Sequence, residues 1–290
     1  FRTEKGSRAL MKTIGFVDYY ISEWHADNYP KWIKEANEKL GEDFKLEYVW
    51  AEEYISPVDG KNTDEWCAEY GCEKCETIDE LCEKSDYIIV LAPSNPEKHL
   101  GYAKEVLKHK KNTYIDKTFA PDYETAKEIF DIAHQYGTKF FSTSALRYAD
   151  ELNELKGAQN VITFGGGGNL AEYIIHQIEM IQTVIGAEPI SIKLENQGAQ
   201  YICRVEYEGQ KSATMIYASA FPFGICAEMS NGENVYKNVS SPFFPNLISG
   251  ILKFFKTGEY PFDTKQTLDV MKIRTGVIKA VDCLDKRIKL

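Results

Sequence analysis

Residues 12–26 read KTIGFVDYYISEWHA. The run Ile14-Gly15-Phe16-Val17 is apolar and strand-like, it stops at an acid, Asp18, and a helical pattern follows. Strand, turn and helix in that order begin a nucleotide-binding βαβ unit, whose turn ordinarily carries G-x-G-x-x-G. Here the turn reads Asp18-Tyr19-Tyr20-Ile21-Ser22-Glu23 and holds no glycine.

The downstream pattern shows what this stretch begins. Strand-like runs recur at Lys45–Trp50, Lys74–Thr77, Tyr87–Ala92, Thr113–Asp116 and Lys139–Ser142. Helical spacing lies between them: Trp32/Ile33/Ala36/Leu40 after a start signal at Asn28-Tyr29-Pro30, then Ala103/Val106/Leu107, then Ala126/Ile129/Phe130/Ile132/Ala133. Such alternation predicts a parallel, doubly wound sheet, a Rossmann-type domain over residues 11–146, with ligands at the carboxyl ends of its strands. From residue 147 to 290 the style changes. Val161–Phe164, Ile190–Leu194, Tyr201–Tyr207 and Ser212–Ser219 alternate or run β-branched, with turn signals at Glu208-Gly209 and Asn231-Gly232. They predict an α/β domain with a mostly antiparallel sheet, and helices over Ala171–Ile185 and Thr264–Leu284. Residues 1–10, FRTEKGSRAL, precede Met11 and read as a leader or cloning remnant.

Composition narrows the function. With 290 residues, 43% hydrophobic and 27% charged, the chain has the balance of a soluble globular protein with a substantial core. A formal net charge of −10 argues against general binding of nucleic acid or anionic membranes, both of which need a basic face. No apolar run approaches the roughly 18 residues of a membrane span. Seven cysteines in a chain this long do not form a disulfide scaffold. Four of them cluster as Cys67, Cys72, Cys75 and Cys82, and four thiolates could hold zinc. Cys67 and Cys82 fall in helix-like segments and Cys75 in a short strand, so reduced cysteines in a cytoplasmic protein, with no metal, are the better reading.

Three segments together resemble the glucose–fructose oxidoreductase / inositol dehydrogenase (Gfo/Idh/MocA) family. His99-Leu100-Gly101-Tyr102-Ala103, running on to Asp116-Lys117-Thr118, is similar to the passage that ends in the family's Glu-Lys-Pro. Ala145-Leu146-Arg147-Tyr148 is similar to the family's Asn-x-Arg-Tyr or Phe. The glycine run 165–168, followed by Glu172 and His176, resembles the Gly-Gly-Gly…Asp-x-x-x-His segment that starts a helix of the family's second domain. The resemblance implies an oxidoreductase that moves a hydride between nicotinamide and the carbon of a secondary alcohol on a sugar, cyclitol or related polyol. It implies that His176 exchanges the alcohol proton, that Lys117 positions and polarises the oxygen, and that Glu172 orients His176. It also implies a homo-dimer or homo-tetramer packed sheet to sheet. A non-catalytic relative that binds a small metabolite, or acts as a partner subunit without NAD, is the alternative.

The same positions can be weighed physically. Lys117 follows a strand of a parallel sheet, where an ammonium can meet a substrate hydroxyl or simply be solvated. Glu172 and His176 are four residues apart and share a helix face, as an acid/base pair or as a structural one. Arg147, beside Tyr148, either holds a polar substrate or binds the domain junction. His99 either packs its helix or touches a cofactor.

For the dinucleotide, Asp18, Tyr20 and Glu23 stand where the three glycines belong. A carboxylate about 4 Å from a phosphate charge costs on the order of 4 kcal/mol at an effective dielectric near 20, and Tyr19-Tyr20 adds bulk to a rebuilt cradle. Glu52 ends the second strand, where an acid can accept from a ribose 2′-hydroxyl and repel a 2′-phosphate, so NAD is favoured over NADP. Pro93-Ser94-Asn95 is placed to border the nicotinamide ribose.

Overall fold

A computed structural model describes residues 11–290; the expected leader, residues 1–10, lies outside them. The apolar run of the opening stretch forms β1 (Lys12–Asp18), whose last five residues are all buried. β1 is central in a six-stranded sheet of order β3-β2-β1-β4-β5-β6, built from β2 (Phe44–Ala51), β3 (Glu73–Lys74), β4 (Tyr87–Val90), β5 (Thr113–Ile115) and β6 (Phe140–Phe141). Every pairing in it is parallel. The crossovers are α1 (Trp24–Leu40), α2 (Thr63–Tyr70), α3 (Ile78–Lys84), α4 (His99–Leu107) and α5 (Tyr123–Tyr136). Gly15 has a packing reason: a Cβ there would lie 2.5 Å from both Leu81 and Ser85, so only glycine lets α3 approach β1.

The second sheet has order β12-β11-β7-β10-β9-β8-β13. Its strands are β7 (Asn160–Gly165), β8 (Pro189–Gln197), β9 (Gln200–Tyr207), β10 (Ser212–Tyr217), β11 (Gly224–Glu228), β12 (Asn234–Asn238) and β13 (Arg287–Lys289). Only the central β7–β10 pair is parallel. The sheet is thus mostly antiparallel, as its alternation predicts. α6 (Leu170–Ile185) and α8 (Lys265–Ala280) cover one face, while α7 (Phe243–Thr257) goes elsewhere.

Four expectations need correction. α1 starts at Trp24, not near Pro30, because the Glu23 carboxylate caps the amides of His25 and Ala26, and buried His25, Ala26 and Tyr29 anchor the first turns. β3 ends at Lys74, so Cys75 lies just beyond the strand, although its amide still donates to Val49 O at 2.7 Å. α8 ends at Ala280 rather than Leu284. α7 is absent from the sequence reading because Pro245 and Gly250 interrupt its pattern. Pro245 falls in the first turn, where the missing N–H costs nothing, and at Gly250 a Cβ would stand 2.5 Å from the Tyr148 ring. Although α7 follows the expected boundary at Arg147, it packs on α1. Leu247, Ile248, Ile251, Leu252, Phe254 and Phe255 join the core that also holds Ile14, Phe16 and Tyr29. Fully burying each such side chain contributes about 1.5–3 kcal/mol.

Candidate active site

The turn after β1 is filled from within. Asp18 is 1% exposed, and its Oδ1 accepts from the amides of Tyr19 (2.7 Å) and Ala92 (2.9 Å), while Oδ2 has no partner. Burial, and then the nearby Glu23 charge, push its carboxyl well above the usual range. Glu23, 8% exposed, accepts from His25 N (2.8 Å) and Ala26 N (2.6 Å). These are the first amides of α1, the donors that a dinucleotide pyrophosphate takes in this fold. The loop after β2 seals the turn: Glu52 N and Glu53 N donate to Asp18 O and Tyr19 O, and Ser56 Oγ donates to Ser22 O at 2.7 Å. Lys98 Nζ lies 4.4 Å from the centre of the Tyr19 ring, and the Tyr19 and Tyr20 rings pack at 5.5 Å. Glu52, expected to meet a ribose, instead accepts from Lys98 Nζ (2.5 Å) and Tyr102 Oη (2.7 Å).

A pyrophosphate in the fold's usual position would have to displace Glu23 from the amides and approach Asp18. The residues of this turn do not fit that group. Of the other expected cofactor contacts, His99 is fully buried, with Nδ1 2.9 Å from Phe119 O and Nε2 2.5 Å from Leu91 O. It packs its helix. Pro93 is buried, Ser94 is exposed, and Asn95 donates to its neighbour Glu97 at 2.9 Å.

The turn after β5 is built the other way. Asp116 is fully enclosed: Oδ1 accepts from Tyr114 Oη (3.0 Å) and Lys117 N (2.8 Å), and Oδ2 pairs with His25 Nδ1. Burial alone would raise its pKa, but His25 and Lys117 outweigh burial and hold it below the usual carboxylate value. Lys117 is 9% exposed, and among the described residues its Nζ makes no hydrogen bond or ion pair. His176, on α6, is 7% exposed; its Nδ1 lies 2.6 Å from Ser144 Oγ, and among the described residues its Nε2 makes no hydrogen bond. Burial, and then the nearby Lys117 and His25, lower it to about 3, so it is neutral at pH 7.

The resemblance implies that Glu172 orients His176, but among the described residues the two side chains make no hydrogen bond. The Glu172 carboxylate accepts from Ser94 Oγ (2.7 Å) and Asn169 Nδ2 (3.1 Å), which ties the start of α6 to the turn after β4. The side chain bonded to the His176 ring is instead that of Ser144, reached only through the fold. Arg147 binds the junction rather than facing Lys117. Nε donates to Glu179 Oε2 (2.7 Å), Nη1 donates to Gln266 Oε1 (2.7 Å), and the guanidinium lies 4.0 Å from the centre of the Phe262 ring. Tyr148 is half-buried, with its hydroxyl enclosed and unpaired. The glycine run lets α6 come close: a Cβ on Gly166 would stand 1.9 Å from Ala218 O. Three residues escaped the sequence reading: His25, Ser144 and Glu179. Only Glu179 left a signal, at i+3 from His176 on one helix face.

Among the described residues, no three His, Cys, Asp or Glu side chains are grouped as a metal would need. Burial pushes the Cys75 and Cys82 thiols up to about 12. No described helix is long and apolar enough to cross a membrane.

Comparison with known proteins extends these findings. Residues 52–144 match the family model GFO_IDH_MocA, described as an oxidoreductase family with an NAD-binding Rossmann fold. The match begins beyond the filled turn. No curated protein matches the sequence. The fold is similar to that of myo-inositol dehydrogenase from Lactobacillus casei, solved in complex with NAD(H) and myo-inositol (TM-score 0.78, 10% identity, 97% of each chain). It is also similar to aldose-aldose oxidoreductase from Caulobacter crescentus, complexed with glycerol (TM-score 0.73, 13% identity, 97% of this chain and 100% of that one). A third likeness is to an NAD binding oxidoreductase from Klebsiella pneumoniae (TM-score 0.75, 11% identity, 96% of this chain and 98% of that one). At these identities the likeness is one of fold. Residues 52–144 are thus similar to the Gfo/Idh/MocA family model, and the two-sheet fold of the described residues is similar to that of these solved structures.

Proposed function

We propose that this protein binds a sugar, cyclitol or related polyol at the carboxyl edge of the first sheet, and that Lys117 and His176 hold and exchange the proton of one secondary hydroxyl. The observation that carries this reading is an unpartnered ammonium near a neutral imidazole, each on a different sheet's element. His176 Nδ1 is tied to Ser144, which leaves Nε2 for the hydroxyl, and Lys117 can polarise the same oxygen. Solved relatives of this fold hold myo-inositol or glycerol, which supports a polyol as ligand.

Oxidation of that alcohol, the activity implied by the resemblance, needs a nicotinamide dinucleotide. Glu23 on the first amides of α1 favours a second reading, in which the polyol is bound without a dinucleotide in the usual seat. Calorimetric titration with myo-inositol and with NADH separates the two. Saturable polyol binding that is unaffected by NADH and lost in Lys117→Ala and His176→Ala supports the proposal and its second reading. Saturable NADH binding, with NAD reduced when polyol is added, restores the dehydrogenase. A protein that binds no polyol sinks the proposal.

The open face of the second sheet carries exposed Ile162 and Tyr236, which supports a homo-dimer or homo-tetramer. All seven cysteines are free, in keeping with a reducing, cytoplasmic setting.

A further inference from the structure

His25, His99 and His176 stand near the carboxyl edge of the first sheet, and their ring nitrogens are used differently. His99 has both nitrogens on backbone carbonyls. His25 and His176 each have Nδ1 tied, to Asp116 and to Ser144, while among the described residues Nε2 of each makes no hydrogen bond. Neither Nε2 is sealed in, in contrast to the enclosed and unpartnered Asp18 Oδ2 and Tyr148 Oη. The His25 ring is fixed by Tyr29, stacked on it at 5.6 Å, and by Trp24 and Phe244 at 5.3 and 5.5 Å. After burial, Lys117 and His25 are what lower the His176 pKa, which puts both near its ring.

The partners fix where the ring hydrogens sit. Asp116, whose pKa lies below the usual carboxylate value despite its burial, is ionised and can only accept. The hydrogen of the His25–Asp116 bond therefore belongs to Nδ1, and a neutral His25 carries a bare lone pair at Nε2. His176 is the reverse. Ser144 is fully buried, and its Oγ already accepts from Leu146 N at 3.2 Å. Among the described residues its hydroxyl hydrogen has no acceptor but His176 Nδ1. Ser144 thus donates to Nδ1, and the His176 hydrogen sits on Nε2. An ammonium has donors only. Lys117 and His176 can hold a hydroxyl oxygen, but a hydroxyl also has a hydrogen to place, and neither side chain accepts it.

We propose that His25 Nε2 is that acceptor, a third ligand-contacting atom of the same site, which takes the hydrogen of a polyol hydroxyl while Lys117 Nζ and His176 Nε2 donate to hydroxyl oxygen. The proposal rests on the polyol reading above and deepens it. Two donors and one acceptor match a ligand group that gives and receives hydrogen bonds at once, as a hydroxyl does and an ether or carbonyl oxygen does not. Asp116 acts only through His25, by keeping the hydrogen on Nδ1, and is a positioning residue.

The test follows the imidazole nitrogens of the whole protein by nitrogen NMR at about pH 8, above the ordinary imidazole range. In the free protein His25 should carry its hydrogen on Nδ1 and His176 on Nε2. Added myo-inositol should move the His25 Nε2 resonance. In His25→Phe/Asp116→Asn, which keeps a ring and leaves no orphaned carboxylate, calorimetry should show myo-inositol bound about three- to tenfold more weakly. The NMR measurement needs no variant, so it decides the matter even if the double variant fails to fold. A hydrogen on His25 Nε2 in the free protein overturns the proposal. So does myo-inositol that binds but leaves the His25 nitrogens unmoved, and the polyol reading itself then stands. A protein that binds no myo-inositol loses that reading, and the proposal with it.

Discussion

The turns after β1 and β5 stand at the same edge of one sheet, and they have gone opposite ways. After β1 the polar groups serve one another: Glu23 caps α1, Asp18 takes two amides, and Glu52 takes Lys98 and Tyr102. After β5, Asp116 absorbs His25 and Tyr114, and Lys117 is left, among the described residues, with an unpartnered ammonium. Both turns are rich in charge. What differs is the group left over among the described residues: after β1 an enclosed carboxylate oxygen, Asp18 Oδ2, and after β5 the ammonium of Lys117.

The second turn depends on the buried Arg147–Glu179 pair behind it, and removing one partner gives the largest expected effect. Arg147→Ala leaves Glu179 buried and unpaired, which should cost about 3–5 kcal/mol of stability by urea unfolding. A loss under about 1 kcal/mol would mean that the pair does not support this edge. Next come the open groups themselves. Lys117→Ala and His176→Ala should each lower turnover, once a substrate is found, by roughly 10²-fold or more with circular dichroism unchanged. Near-normal turnover in both would remove their assigned roles.

Asp18 tests the closed turn through pH. Its folded pKa is raised, so the folded state holds the proton more tightly than the unfolded chain does. The wild type should then lose stability as pH rises from the ordinary carboxylate range toward the raised value. Asp18→Asn keeps an acceptor for Tyr19 and Ala92 without the charge. It should be the more stable protein at pH 7, by about 1.4 kcal/mol per unit of displacement, and lose that advantage near pH 4. An advantage that does not change with pH would show that Asp18 is not displaced.

Glu23→Ala removes a helix cap worth roughly 1 kcal/mol, and it also frees the first amides of α1. NADH binding should appear or tighten in this variant by calorimetry. Replacing Asp18 and Tyr20 with glycine while Glu23 stays should tighten it less. If Glu23→Ala gains no NADH binding while the glycine pair does, Asp18 and Tyr20 are the real barrier. The smallest effect is expected at Glu172, whose Ala variant should move stability within about 0.5 kcal/mol and leave the His176 titration unchanged. A shifted His176 would return to Glu172 the orienting part that the geometry gives to Ser144.

The doubly wound order and the mostly antiparallel second sheet were legible because hydrophobic periods of two and of about 3.6 are local, and a strand or helix buries one face wherever it packs. The places of Lys117 and His176 in the fold were legible for a related reason. Their places, after a parallel strand and behind a glycine run, are set by short segments. Partners across the fold left no such mark. His25 meets Asp116 across 91 residues, and Ser144 meets His176 across 32. Glu172 had the right spacing to serve His176, but it turned to Ser94 because that turn was brought beside it. Glu23 reads as an ordinary acid before a helix, and α7 reads as an interrupted segment. Local pattern therefore set where charged groups would stand along the sheet edge. Which of them would be used up by one another depended on distances between segments that are remote in sequence, and no local pattern encodes those distances.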